Sequence, residues 1–509
     1  MELWLFILIT ISFFITFLFF FKSSNPKNTK KLPPGPLFIP ILGSLLWLRG
    51  TPSHFQSILH DLHTKYGPIF TVHVGSHPFI YILDRSLAHK LLIEHGAVFS
   101  DRPPPRPAAR FPGMNQLTIS RSPYGPLWRL LRRNLISEIL HPSRVKLFAP
   151  ARQWVLDLLL SKLHLQSSSG VVAPMDSFRF AMFSLLVLMC FGEKLGEDAI
   201  KDIDSAQRDL ILHLNKLELF NIAPSITKHL FRRRWKTVFE LRRRLRDLFT
   251  PLITSRKQHK IKNSDINDHQ RFIHSYLDSL LHINLQEEGG RKLSDEELVS
   301  LCSEFLNAGT ATTATALEWI MANVVKYPNV QAKMREEIER VARDGSEVIK
   351  EEELQRMVYV KAVVMEGLRR HPPVHLVLPH AVTEEIVVDG YVIPKNVTIN
   401  FGVAEMGWDE KVWEKPMEFT PERFVEEGVD VTGCREIKMM PFGVGRRICP
   451  GLGLAVLHLE YFVANLVREF EWRGVEGEEV DLAEKPGGLV AMKHALRVHL
   501  VPRGSARVM

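Results

Sequence analysis

Phe442-Gly443-Val444-Gly445-Arg446-Arg447-Ile448-Cys449-Pro450-Gly451 is the stretch that most limits what this chain can become. It sets one cysteine in a glycine-rich loop, directly before an apolar run, Leu452 to Phe470, that reads as a helix. Pro450 suits a first helical position, where its missing N–H costs nothing. Cys449 then sits at a helix N-terminus, where free N–H groups and the helix dipole favour a thiolate. Gly443, Gly445 and Gly451 let backbone pass close to something flat and bulky, and Arg446 and Arg447 bring charge that can meet carboxylates. Such a loop suits a metal held through one sulfur, with backbone N–H groups tuning that sulfur. A buried cysteine after a glycine-rich turn is the plainer reading of a lone Cys-Pro-Gly.

The other end of the chain sets the compartment. Leu3 to Phe21 is a run of about twenty residues without a charge, enough to span a bilayer. Lys22, Lys27, Lys30 and Lys31 follow, so the positive-inside rule leaves the rest cytosolic. A cleaved signal peptide wants a basic start and a small-residue cleavage site. Here Glu2 leads and Phe19-Phe20-Phe21 closes. Pro33-Pro34-Gly35-Pro36 then makes a stiff connection. Residues 1–22 are therefore read as a membrane anchor, 23–40 as a basic, Pro-rich hinge, 41–500 as the body and 501–509 as a C-terminal tail. Four cysteines with no Cys-x-x-Cys spacing fit a reducing compartment. The net charge of +8 points to an anionic surface or partner. The runs Arg232-Arg233-Arg234 and Arg242-Arg243-Arg244 lack the interleaved aromatics of a nucleic-acid site and read as solvated faces.

Within the body the pattern is mainly α with small β-sheets. A helix and then alternating strands occupy Ser53 to Leu83. Ser100 to Arg121 is a proline-rich loop, long enough to be functional. Trp128 to Arg133 is helical, with Trp128 and Arg132 on one face. Helices fill 140–260, and Lys257 to Gln270 reads as an exposed polar loop. Ser294-Asp295-Glu296-Glu297 is a capping box opening a long helix that ends near Lys326. Its middle, Ala308 to Thr315, is small and β-branched. Those side chains leave room for a ligand plane, and threonine hydroxyls can bond the preceding turn and loosen it. A tight helix crossing would use the same residues. A helix spans Glu351 to Arg370, and Asp389-Gly390 marks a hairpin between Ile386–Val388 and Tyr391–Ile393.

Phe442-x-x-Gly445-x-Arg447-x-Cys449-x-Gly451 resembles the haem-binding signature of the cytochrome P-450 superfamily, in which the cysteine is the axial iron ligand. Three further motifs occur in that family's order. Trp128-x-x-x-Arg132 is similar to the pair that reaches a haem propionate. Gly309, Thr312 and Thr313 match the oxygen-binding groove, and Glu366-x-x-Arg369 matches the pair that locks to a later arginine, here Arg423. His380 stands where members carry a propionate-bonding Arg or His. Pro486 to Met492 is implied to enter the substrate pocket. The hinge, the anchor and Pro421-Glu422-Arg423-Phe424 look most like a plant microsomal member.

The resemblance implies the cytochrome P-450 fold behind one N-terminal transmembrane helix, in the endoplasmic reticulum membrane with the catalytic domain cytosolic. It implies haem b (iron protoporphyrin IX) on Cys449. Trp128, Arg132, Gly309, His380, Phe442, Gly445, Arg447 and Gly451 are its expected cofactor-binding residues, and Thr312 and Thr313 its expected catalytic ones. The reaction implied is insertion of one oxygen atom into a lipophilic small molecule. No dinucleotide fingerprint is present: Gly451-Leu452-Gly453 lacks the third glycine and the preceding strand. NADPH electrons are therefore expected from a membrane flavoprotein, NADPH-cytochrome reductase, docking on Arg129, Arg133, Lys438 and Arg446. One position departs from the pattern. Ala311 occupies the place of the groove's acid and cannot import a proton, so slow, leaky turnover is expected. A haem-thiolate isomerase or dehydratase that needs no dioxygen, and a non-catalytic haem or lipid binder, are the other classes.

Overall fold

The computed structural model describes residues 32–36, 55–74, 77–105, 117–215, 229, 231–263, 274–342, 348–425, 428–485 and 487–503. The expected anchor, most of the hinge and the centre of the proline-rich loop lie outside them. Among the described residues no helix is long and apolar enough to cross a membrane.

The elements that frame the site are α1 (Phe55–Tyr66), β1 (Ile69–Val74), β2 (His77–Ile82), α2 (Pro126–Leu135), α3 (Ala149–Ser167), β3 (Val171–Val172), α4 (Met175–Phe191), α5 (Glu197–Asn215), α6 (Arg232–Asn263), α7 (Asp295–Lys326), α8 (Pro328–Val341) and α9 (Val358–Arg370). Then come β4 (His380–Ala381), β5 (Ile386–Val388), β6 (Tyr391–Ile393), β7 (Thr398–Phe401), α10 (Leu452–Glu469), β8 (Phe470–Gly474) and β11 (Val498–Pro502), with the short pair β9 (Glu484–Lys485) and β10 (Ala491–Met492) between the last two.

Two helices make the centre. Along α4, Ala181 to Phe191 are all buried, so this helix has no solvent face and its apolar residues need no period. It packs along α7, which is buried on every side from Thr313 to Val325. Each large side chain buried there contributes roughly 1.5–3 kcal/mol. The Ser294 hydroxyl accepts from the Glu297 N–H (3.3 Å) and the Glu297 carboxylate accepts from the Ser294 N–H (2.7 Å), so the capping box starts α7 as expected. The main core joins α4, α7, α8, α9 and α10. A second core, containing Ile80, Ile82, Phe99, Ile399 and Phe401, lies against a four-stranded sheet ordered β1-β2-β7-β4. Only the β2–β7 pairing is parallel, and it closes a long crossover: Ile80 pairs with Ile399.

Four local expectations change. The segment Glu351 to Arg370 is two helices, because Met357 leaves helical geometry (φ −97°, ψ 76°) between Glu351–Leu354 and α9. Lys257 to Asn263, read as loop, continues α6, where Lys257 pairs with Asp295 at 2.5 Å. Val501 and Pro502, assigned to the tail, pair with Glu471 and Phe470 in β8, and the Arg503 N–H donates to the Glu469 carbonyl (2.9 Å). The threonine-rich middle of α7 remains helical, since its hydroxyls bond carbonyls without breaking the ladder.

Candidate active site around Cys449

The cysteine loop is closed by its own backbone. The Cys449 N–H donates to the Phe442 carbonyl (2.9 Å) and the Ile448 N–H to the Gly445 carbonyl (3.1 Å). Phe442 packs against the main core and anchors the loop's first leg. Gly445 has φ +74°, and a Cβ there would run into the Leu92 carbonyl oxygen, so only glycine fits. Gly451 is the N-cap of α10 and Leu452 its first residue. Pro450 therefore stands just outside the helix instead of at its first position, and Cys449 is one residue further out.

That offset changes the electrostatics. Burial pushes the Cys449 thiol above its ordinary range, and the Gly451 N–H and the Arg132 charge only partly pull it back. The N-terminal dipole does not by itself deliver a thiolate. A metal does, because coordination deprotonates a thiol outright. The Cys449 residue is nonetheless exposed, walled on most sides yet open on one.

Above the loop stand three guanidinium groups. Arg132 donates to the Ile448 carbonyl (2.5 Å), tying α2 to the cysteine loop. Arg447 donates to the carbonyls of Ser100 (2.7 Å) and Ser122 (2.7 Å), and its guanidinium lies 4.4 Å from the centroid of the Trp128 ring. Arg102 donates to Ser120 (2.7 Å), Leu378 (2.8 Å) and Pro379 (2.8 Å). All three are tied to carbonyls, and none forms an ion pair among the described residues. Burial lowers each, Arg102 to about 9 and Arg447 to about 10, and repulsion from neighbouring arginines adds to it for those two. Cations this crowded call for an anion.

His380 is buried beside them. Its Nδ1 donates to the Phe99 carbonyl (2.6 Å), and burial with the charge of Arg102 drops it to about 3. It is neutral, and its Nε2 offers a lone pair and no proton. Arg102, absent from the sequence reading, supplies the charge on that side. Its only signal was the Asp101-Arg102-Pro103 opening of the proline-rich loop.

On α7, Gly309 lies where a Cβ would press on Leu186 of α4 (2.8 Å), so the glycine allows the close crossing. Ala308 is exposed in this otherwise well-covered stretch. The Thr312 hydroxyl donates to the Ala308 carbonyl (2.7 Å) and keeps its lone pairs free, whereas Thr313 is buried. Glu304, five residues before Gly309, accepts from the Ile119 N–H (2.6 Å) and the Ser120 N–H (2.8 Å). Its one sequence signal was a lone acid inside Leu301-Cys302-Ser303-Glu304-Phe305-Leu306.

Beneath the fold's other charges lies the expected scaffold. Arg369 makes a two-pronged bond to Glu366 (2.7 and 2.8 Å), both essentially without solvent exposure, and Arg423 approaches Glu366 at 3.5 Å. On the surface, Arg129, Arg133 and Arg446 line one open groove of about 700 Å³ with Tyr124, whose hydroxyl accepts from Arg446 (2.5 Å). Lys438 does not line it and leans toward Glu436 (3.6 Å).

The fold and site define a mainly helical protein with an open cysteine sulfur near three half-buried guanidinium groups, which fits a metal-centred cofactor with anionic arms. The cytochrome P450 family model matches residues 33–500. Cytochrome P450 89A9 of Arabidopsis thaliana is 48% identical over 97% of both chains. Cytochrome P450 98A1 of Sorghum bicolor is 30% identical over 94% of this chain and 93% of its own. A zebrafish cytochrome P450 structure solved with abiraterone shares the fold, with TM-score 0.72 and 20% identity over 88% of this chain and 99% of that one. This chain belongs to the cytochrome P450 family of plant haem-thiolate enzymes, and it is an oxidoreductase.

Proposed function

We propose that this enzyme inserts one atom of dioxygen into a lipophilic small molecule, with NADPH electrons delivered by a separate membrane flavoprotein reductase. The open thiol of Cys449 under Arg102, Arg132 and Arg447 carries the reading. A thiolate-bound haem supplies oxygen activation, because the sulfur pushes electron density toward the iron. Cys449 would hold the iron, the Gly451 N–H would steady the sulfur, and Arg102, Arg132 and Arg447 would hold the propionates. The Thr312 hydroxyl keeps lone pairs available to a bound ligand, and Ala311 contributes no proton. Relatives include 5-epiaristolochene 1,3-dihydroxylase of Nicotiana tabacum, 30% identical over 99% of this chain, which supports oxygen insertion as the reaction class. The groove of Arg129, Arg133 and Arg446 is the reductase's docking face, and Leu3 to Phe21 anchors the enzyme in the endoplasmic reticulum membrane.

The test is the reduced, carbon-monoxide-bound difference spectrum of microsomes holding the full chain, beside Cys449→Ala. A red-shifted Soret band lost in the variant is expected. Haem-replete protein without that band would remove the reading. Substrate turnover that proceeds without NADPH and reductase would move it to an isomerase or dehydratase.

A further inference from the structure

Arg102 and Arg447 reach the site from distant parts of the chain, yet both end on the same short strip of backbone. The Ser120 carbonyl takes Arg102, and the Ser122 carbonyl takes Arg447, which also reaches the Ile119 carbonyl at 3.3 Å. The N–H groups of Ile119 and Ser120 point the other way, onto the two carboxylate oxygens of Glu304. One peptide unit, the Ile119 carbonyl with the Ser120 N–H, is thus strung directly between the Glu304 carboxylate and the Arg447 guanidinium, so its two bonds polarise each other. The Thr118 carbonyl behind the Ile119 N–H accepts from Ser122 instead, which closes the strip on itself. Burial pushes Glu304 above the usual carboxylate range, and the bonds from Ser120 and Ile119 hold it down. No ammonium or guanidinium forms an ion pair with it among the described residues; its partners are the backbone of this strip and the Ser120 hydroxyl, with the Arg121 charge acting from further off.

We infer that Glu304 is a positioning residue for the cofactor site: it fixes Ile119 to Ser122 against α7 and thereby sets the angle at which Arg102 and Arg447 meet the haem's carboxylates. Two N–H groups from adjacent residues need two acceptors. A carboxylate supplies both. A carboxamide supplies one and turns its own N–H donors against the second. Glu304 touches neither cofactor nor substrate and acts only through the strip. The inference rests on the haem reading above.

Haem-loaded Glu304→Gln and Glu304→Asp are compared with the unaltered enzyme by amide hydrogen exchange and by haem transfer to excess apomyoglobin. In Glu304→Gln, exchange in peptides covering 117–122 rises about tenfold or more, while α8 and α10 stay as they were, and haem transfer quickens severalfold. Glu304→Asp, with the charge kept on a shorter arm, falls between. A role in helix packing alone would instead raise exchange along the whole of α7 and leave haem transfer unchanged. Unaltered exchange at 117–122 and unaltered haem transfer in Glu304→Gln overturn the inference. Should that variant not fold, Glu304→Asp carries the test, and unaltered rates in it overturn the inference equally. If the unaltered chain takes up no haem, the functional reading fails, while the exchange comparison still decides what Glu304 holds.

Discussion

Two clusters of charge accompany the cysteine loop, and they are built differently. Glu366 and Arg369 neutralise each other in a direct two-pronged pair, with Arg423 3.5 Å from the same carboxylate. The Glu366 carboxylate also takes the Thr420 N–H (2.8 Å), and Arg369 the Gly407 carbonyl (2.6 Å), so little bonding capacity is left for a ligand. Arg102, Arg132 and Arg447 have carbonyls for partners and no direct ion pair among the described residues, with Asp101 and Glu304 offsetting part of their charge from a distance. Carbonyls satisfy N–H groups and leave net charge standing. The first cluster is complete without a guest, and the second is complete only with an anion. Counting which charges are directly paired therefore separates scaffold from site.

The largest effect is expected at the cancelled cluster. Arg369→Ala leaves the buried Glu366 carboxylate with only the more distant Arg423 in place of its two-pronged partner, a loss of up to roughly 3–5 kcal/mol. The expected outcome is no soluble, haem-containing protein, read by expression and the haem spectrum. A stable, haem-replete variant would put Arg369 outside the scaffold. Arg447→Ala should behave differently. It removes charged hydrogen bonds worth roughly 1.5–3 kcal/mol apiece, but it also relieves repulsion. The chain is expected to fold and to lose haem faster, measured by far-ultraviolet dichroism and haem transfer. Equal damage from both variants would erase the distinction between the clusters.

Acid provides a third test. His380 is held down to about 3 in the folded state against an ordinary value near 6.5, by burial first and then by Arg102. Between those values the unfolded chain binds the extra proton and the folded chain does not, so stability falls as pH drops from about 6.5 toward 3. The slope from this one group approaches about 1.4 kcal/mol per pH unit. In His380→Gln that share of the slope should vanish from denaturation curves taken across the window. An unchanged slope would show that His380 is not under the cations' field.

Adding a carboxylate where the site has none gives a smaller effect. Ala311→Asp should lower peroxide released per NADPH by a few-fold, measured in the reconstituted system, and unchanged rate and coupling would remove Ala311 as the cause of leakiness. The smallest change is at the surface. Arg129→Ala with Arg133→Ala should weaken reductase binding at low salt and flatten its salt dependence. A salt response equal to the unaltered enzyme's would place docking elsewhere.

How far the chain announced itself depended on range. The capping box at Ser294 and Glu297 works within one helical turn, and the Asp389-Gly390 hairpin, with φ +48° and +82°, within two residues. Both were readable because their partners are neighbours in sequence. The Cys449 loop was readable for the same reason, since glycines, arginines and cysteine lie within ten residues. Lys257 to Asn263 patterns like a loop because its residues are polar, yet it continues α6, with Lys257 paired to Asp295 at the start of α7. The split at Met357 was equally invisible in a continuous helical pattern.

Short-range pattern thus determined a mainly helical class and exposed the motif whose family resemblance marks Cys449 as the expected ligand, while only the fold shows why Gly445, beside Leu92, must be glycine. Packing decided that the helix end two residues away does not by itself favour a thiolate, since burial pushes the Cys449 thiol up. It also decided which arginines form the cation ring. Arg102, Arg132 and Arg447 come from positions up to 345 residues apart, and Glu304 reaches them through backbone 184 residues away. A side chain's charge is written at its own position, but whether that charge is cancelled depends on what folding brings within a few ångströms of it.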